Sequence, residues 1–142
     1  MKLSIVITLY NEQDNIRPLL ERVREAMGQQ QHAYELILVD DGSRDATVQE
    51  VKKYAYPSTK LIILHKNYGQ TTAMSAGIRE AQGEYIVTLD GDLQNDPSDI
   101  PLLLDKAERE NWDVVAGQRL NRKDGLLLRK IPSRIANSLI RF

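Results

Sequence analysis

The feature that most constrains this chain is an alternation. Short runs that are apolar throughout take turns with segments whose apolar residues recur at helical spacing, and nearly every apolar run ends in a polar cluster. Leu3–Leu9 reads as a buried strand. Ile16, Leu19, Leu20, Val23, Ala26 and Met27 follow at helical spacing, and Gly28 can close that helix. Glu35–Val39, Leu61–Leu64, Tyr85–Leu89 and Asp113–Ala116 read as four further strands. Between them lie three helices. Asp45–Tyr54 has Ser43 or Asp45 as its cap, and Gln70–Ala81 carries Ala73, Met74, Gly77 and Ile78 on one face. The third opens at Asp96-Pro97 and runs to about Glu110, since proline loses nothing at a first helical position.

Strands that are apolar on both faces belong in a mostly parallel sheet covered on both sides. A length of 142 residues suits one such unit, spanning 1–142. The expected class is therefore α/β, Rossmann-like, with helices on both faces. Such sheets bind ligands outside the carboxyl ends of their strands. Four polar clusters fall there: Tyr10-Asn11-Glu12, Asp40-Asp41-Gly42-Ser43, Asn67-Tyr68-Gly69-Gln70 and Asp90-Gly91-Asp92.

Asp90 and Asp92 are carboxylates separated by one small residue at a strand end, so both can face a divalent cation. Hard oxygen ligands suit Mg²⁺ or Mn²⁺, and Gln94 can add another oxygen. A plain Asp/Gly turn has the same composition; the three neighbouring polar loops favour the metal. Asp40 and Asp41 can accept hydrogen bonds from a base or ribose, or serve with Gly42 and Ser43 as a capped turn. Neither the dinucleotide glycine fingerprint nor a P-loop is present, so a bound diphosphate would need the metal to neutralise it. Cysteine is absent, which excludes disulfides and thiolate metal sites. His32 and His65 lack ligand-spaced partners and read as structural; Trp112 reads as core.

Net charge is −1 but unevenly spread. Glu84–Asp113 holds nine acidic and two basic residues; Arg119–Phe142 holds seven basic residues and one acidic, Asp124. The pattern points to a cation in the middle and an anion or anionic surface at the end, against the alternative of a solvated charged face. The segment 126–142 is basic and apolar, and from Ser133 it reads as an amphipathic helix. It suits an anionic membrane surface, or else a helix covering further parts of a domain. No signal peptide is visible and no apolar stretch approaches the ~20 residues of a membrane span, so the chain reads as soluble or peripheral.

Val6-Ile7-Thr8-Leu9-Tyr10-Asn11-Glu12, Leu38-Val39-Asp40-Asp41-Gly42-Ser43, Asn67-Tyr68-Gly69-Gln70 and Leu89-Asp90-Gly91-Asp92-Leu93-Gln94-Asn95-Asp96-Pro97 together resemble the family-2 glycosyltransferases. The third and fourth segments resemble a narrower group, the polyprenyl-phosphate glycosyltransferases. That group includes dolichyl-phosphate mannosyltransferase and the undecaprenyl-phosphate 4-deoxy-4-formamido-arabinose transferase type. Leu9 stands where the family usually has proline. The resemblance implies a GT-A fold, here an incomplete catalytic domain, that moves a sugar from a nucleotide-diphosphate donor to a polyprenyl phosphate with inversion. Tyr10, Asn11, Glu12, Asp40, Asp41 and Asp90 would bind the nucleotide sugar, and Asp90, Asp92 and Gln94 would hold Mg²⁺ or Mn²⁺. Arg119 and Arg134, from the basic cluster, are the candidate ligands of the acceptor phosphate. The expected location is cytoplasmic, at the membrane; no nucleic acid is expected, and homo-oligomerisation stays open. The alternatives are a soluble family-2 enzyme acting on a sugar hydroxyl and a non-catalytic nucleotide-sugar-binding fragment. A nucleotidyltransferase is disfavoured, since Tyr10-Asn11-Glu12 is acidic and lacks glycine.

Overall fold

The computed structural model describes residues 2–28 and 33–117, and the main chain of 137–141. The sheet is built from β1 (Leu3–Leu9), β2 (Tyr34–Asp40), β3 (Thr59–Ile63), β4 (Tyr85–Asp90), β5 (Val114–Gly117) and β6 (Asn137–Arg141). The helices are α1 (Ile16–Gly28), α2 (Thr47–Tyr54), α3 (Gln70–Glu80) and α4 (Asp99–Glu110). Strand order is β3-β2-β1-β4-β6-β5. The first four strands in that order pair in parallel; β6 runs antiparallel to both β4 and β5.

All seven residues of β1 are buried, which requires cover on both faces. Leu3, Ile5, Ile7 and Leu9 share a core with Ile16, Leu19 and Val23 of α1 and Ile100 and Leu104 of α4. On the other face Val6, Ile37, Val39 and Ile86 pack with Ala73 of α3. Helix α3 lies so close that a Cβ on Gly77 would strike the Val6 side chain.

Register decides where the site falls. Leu9 pairs with Asp40 and Thr8 with Asp90, so β1, β2 and β4 end on one edge. From β1 the chain builds outward through β2 and β3, then returns to place β4 on β1's other side. That reversal opens a crevice between β1 and β4 at their carboxyl ends.

The opposite edge is stapled by Glu35, which is 3% exposed. Ser4 Oγ and the Gln82 N–H donate to its Oε1 at 2.6 and 2.7 Å, and Lys60 Nζ lies 2.8 Å from Oε2. Burial pushes this carboxyl up, but the bonds from Lys60, Ser4 and Gln82 prevail and hold it below its ordinary range.

Three expectations need correction. Residues 137–141 are strand, not the amphipathic helix expected from Ser133: β4 exposes unpaired main-chain groups, and pairing with them overrides local periodicity. Residues 118–136 and 142 lie outside the described residues. Helix α4 starts at Asp99, because Asp96-Pro97-Ser98 closes as a separate turn: Ser98 N–H donates to Asp96 Oδ1 at 2.9 Å, and Asp99 N–H to the Asp96 carbonyl at 3.0 Å. Trp112 is not core but 52% exposed. It follows the left-handed Asn111 that ends α4, a turn that carries it off the packed face, and its Nε1 donates to Glu110 Oε2 at 2.5 Å.

Candidate active site

The crevice at the switch point is a cavity of about 440 Å³ lined by Thr8, Leu9, Tyr10, Glu12, Asp41, Asn67, Gly69, Gln70, Asp90, Gly91 and Asp92. Each of the four polar loops contributes to it. Its lining includes the carboxylates of Glu12, Asp90 and Asp92 and, among the described residues, no lysine or arginine. Asp41, the fourth acid there, is committed to the loop before α3.

The β1–α1 and β2–α2 loops are zipped together. Asn11 N–H donates to Ser43 Oγ and Arg44 N–H to Asn11 Oδ1, each at 2.9 Å. Glu12 N–H donates to Thr47 Oγ1 at 2.9 Å, and Ala46 N–H to Gln13 Oε1 at 3.0 Å. Asn11 sits in the left-handed region (φ 52), which asparagine tolerates. It stands outside the cavity lining and holds the two loops in register.

Asp40 also stands outside the lining, 1% exposed. Its Oδ2 accepts from Ser43 N–H at 3.1 Å, while Oδ1 has no hydrogen-bond partner among the described residues. Asp41 organises the loop before α3: Tyr68 N–H donates to Oδ1 at 2.8 Å, and Gly69 N–H and Asn67 Nδ2 donate to Oδ2 at 3.0 and 3.1 Å. Between Asp41 and Ser43, Gly42 has φ 71, and a Cβ there would strike Asn67 N and Lys66 C.

The Asp90–Asn95 loop has its own staple. Asn95, 3% exposed, accepts from Asp90 N–H at 2.9 Å. Gln70 Nε2 donates to Asp90 Oδ1. Asp92 is exposed, and its Oδ1 accepts from Gln94 N–H at 3.0 Å; the Gln94 side chain lies at the surface, outside the lining. Gly91 admits nothing larger, since a Cβ would sit 2.5 Å from Leu9 Cδ2 and 2.9 Å from the Thr8 carbonyl oxygen.

The charge density leaves a mark on Glu12. Its carboxyl is raised above the ordinary value by partial burial first, then by the repulsion of Asp92 and Asp45, against the hydrogen bond from Asn15. Among the described residues no three His, Asp or Glu side chains converge as a metal cage. Two carboxylates on an open acidic cavity suit Mg²⁺ or Mn²⁺, which keep several waters and take phosphate oxygens as ligands.

The structure thus brings Tyr10, Glu12, Asp41, Asp90 and Asp92 to one cavity, with Asn11, Asp40 and Gln94 behind or beside it. Arg119 and Arg134 lie outside the described residues, as does His32, while His65 is exposed on the loop after β3. Sequence reasoning assigned no role to Gln70 or Asn95. The signal was there for both: an amide next to each cluster of main-chain and carboxylate groups that needs a partner.

The sequence profile of "Glycosyl transferase family 2" matches residues 4–142. The chain belongs to that family, and its fold is of the GT-A type. It is 51% identical over 143 residues to the dodecaprenyl-phosphate galacturonate synthase of Rhizobium johnstonii, covering 99% of this chain and 42% of that protein. It is 45% identical over 137 residues to the undecaprenyl-phosphate 4-deoxy-4-formamido-L-arabinose transferase of Pseudomonas fluorescens, covering 94% of this chain and 40% of that protein. The chain therefore spans about two fifths of the length of these relatives. Among solved structures, S. aureus TarS 1–349 in complex with UDP-GlcNAc superposes with a TM-score of 0.71 at 22% identity, covering 99% of this chain and 45% of that one. The mannosyltransferase PcManGT from Pyrobaculum calidifontis, in complex with GDP-Man and Mn²⁺, gives 0.68 at 22% identity, covering 99% and 44%.

Proposed function

We propose that this chain is the donor-binding part of an inverting, Mg²⁺- or Mn²⁺-dependent glycosyltransferase that moves a sugar from a nucleotide diphosphate to a polyprenyl phosphate. The observation that carries the reading is the acidic cavity at the β1/β4 switch point, lined by Glu12, Asp90 and Asp92. The relatives at 51% and 45% identity, both named for polyprenyl phosphates, supply the acceptor class.

Asp90 and Asp92, with Gln94 beside them, would hold the cation, which when bound would supply positive charge against the donor diphosphate. Tyr10 and Glu12 line the nucleotide's side of the cavity. Asp40 is buried behind this lining with an Oδ1 that has no partner among the described residues, and a nucleoside donor group that reached it would satisfy it. Asn11 and Asp41 hold the loops that make this surface. The C1–O bond to the diphosphate breaks while a C1–O bond to the acceptor phosphate forms on the opposite face. A phosphate monoester is already anionic at neutral pH, so no general base is needed. Positioning and electrostatics carry the step.

Arg119 and Arg134 hold the acceptor phosphate. Gly117 pairs with Asn137 and Thr88 with Ser138, so β5 ends and β6 begins at the carboxyl edge, and the segment that joins them in sequence carries Arg119 and Arg134. Its basic residues meet the anionic membrane surface, which puts the protein at the cytoplasmic membrane. Among the described residues no helix is long and apolar enough to cross it.

The test is transfer of radiolabelled sugar from a panel of UDP- and GDP-sugars to short-chain polyprenyl phosphate, in a chain of the relatives' full length. Arg119→Ala and Arg134→Ala are expected to abolish transfer while donor binding survives. Transfer to a sugar hydroxyl in preference to the lipid phosphate overturns the acceptor assignment.

A further inference from the structure

We propose that Gln70 is a positioning residue that orients Asp90 for the cation without neutralising it. The proposal rests on the metal reading above and extends it to a residue with no assigned role.

Asp90 is gripped from two directions. Its main-chain N–H is held by Asn95 Oδ1 at 2.9 Å, which fixes the loop. Its Oδ1 accepts from Gln70 Nε2, which fixes the plane of the carboxylate. Gln70 has a rigid base. It is the first residue of α3, a helix pinned to the sheet where Gly77 touches Val6. The residues before it, Tyr68 and Gly69, are tied through their N–H groups to Asp41, which β2 delivers. A continuous path therefore runs from Asp41 through 68–69 and Gln70 to Asp90, linking the β2 side of the cavity to the β4 side.

The choice of an amide has a chemical reason. A carboxamide N–H orients a carboxylate but leaves it anionic. Lysine or arginine at the same place would form an ion pair with Asp90 and compete with a cation. Leucine would remove that donor from the carboxylate. Groups that hydrogen-bond a metal's ligand typically account for about 10–100-fold in metal affinity.

Three variants and three readouts, the third being the melting temperature, test this in the intact chain. Mn²⁺ binding in the presence of UDP or GDP is followed by the electron paramagnetic resonance signal of the free ion. Uridine and guanosine binding without metal is followed by calorimetry. Gln70→Leu is expected to raise the Mn²⁺ midpoint about 10–100-fold while leaving nucleoside affinity and melting temperature in place. Gln70→His, which restores an N–H donor, recovers most of the loss. Gln70→Arg weakens Mn²⁺ binding but raises the melting temperature of the metal-free protein. A Gln70→Leu midpoint equal to wild type overturns the proposal alone. So does a parallel loss of nucleoside affinity, which marks Gln70 as mere scaffolding of its loop. Nucleotide binding by the wild type with no Mn²⁺ or Mg²⁺ dependence overturns the metal reading, and this proposal with it.

Discussion

Glu12 trades stability for charge. Its carboxyl binds a proton more tightly in the folded chain than in the unfolded one, so folding is favoured below the unfolded pKa. That advantage is lost as pH rises through the raised folded value. Glu12→Gln removes the repulsion from Asp92 and keeps an oxygen for Asn15 Nδ2, now 2.6 Å away. The variant is expected to melt about 1 °C higher than wild type at pH 7, with no difference at pH 4, by differential scanning calorimetry. The sign reverses if Glu12 is merely structural. Asp92→Asn keeps shape and removes an anionic ligand; calorimetry should find metal-dependent nucleotide-diphosphate binding lost, and an unchanged affinity sinks the metal assignment. Asp40→Asn can still accept from Ser43 N–H but puts an NH₂ where the orphan oxygen stood. Nucleoside affinity should fall by about 1.5–3 kcal/mol, with or without metal. If it does not move, Asp40 is only a turn residue.

At the scale of elements, the Asp90-Gly91-Asp92 loop depends on how close β1 and β4 lie. Gly91→Ala drives a methyl into Leu9 Cδ2 and the Thr8 carbonyl, on a strand with no room to retreat. Expected are a stability loss of about 1–3 kcal/mol in urea unfolding and weaker Mn²⁺ binding, because the loop must lift. Most of this architecture is legible in the sequence. The apolar runs of β1, β2 and β4 are buried on both faces, so nothing obscures them, and the polar clusters behind them mark the site edge. The errors fall where local pattern loses to distant partners. A short apolar stretch such as Leu139-Ile140 fits a helix or a strand equally well until a neighbour is known, and here the neighbours are β4 and β5. Trp112 reads as core by composition, yet a single left-handed residue, Asn111, sets where it points. The side-chain contact of Gln70 bridges separate loops to a partner 20 residues away, a pairing that the amide's place beside its cluster hints at but no local spacing encodes.

The whole molecule is held at both ends of its strands by different chemistry. The site edge is acidic and costs stability, while the opposite edge is closed by the Glu35 network. Glu35 has its folded pKa depressed, so its contribution is complete above the unfolded carboxylate pKa and is lost as pH falls through the lower folded value. Lys60 is 46% exposed, so water can solvate it if its partner is neutralised. Glu35→Gln should therefore destabilise by about 1–3 kcal/mol at pH 7. It should also flatten the fall in stability between neutral pH and acid, measured by urea unfolding across that range. An unchanged acid slope would place the pH-sensitive group elsewhere.

The position of β6 between β4 and β5 also sets a timetable. β5 touches the sheet only through β6, and in sequence β6 begins 20 residues after β5 ends, at Asn137 against Gly117. On a ribosome adding about 5–20 residues per second, β5 waits about 1–4 s for the strand that will seat it. During that wait β4 offers a bare edge, the kind of surface on which nascent chains mispair. A chaperone that covered β4 during that interval would guard the edge until β6 arrives, an interval fixed by the order in which the strands are made.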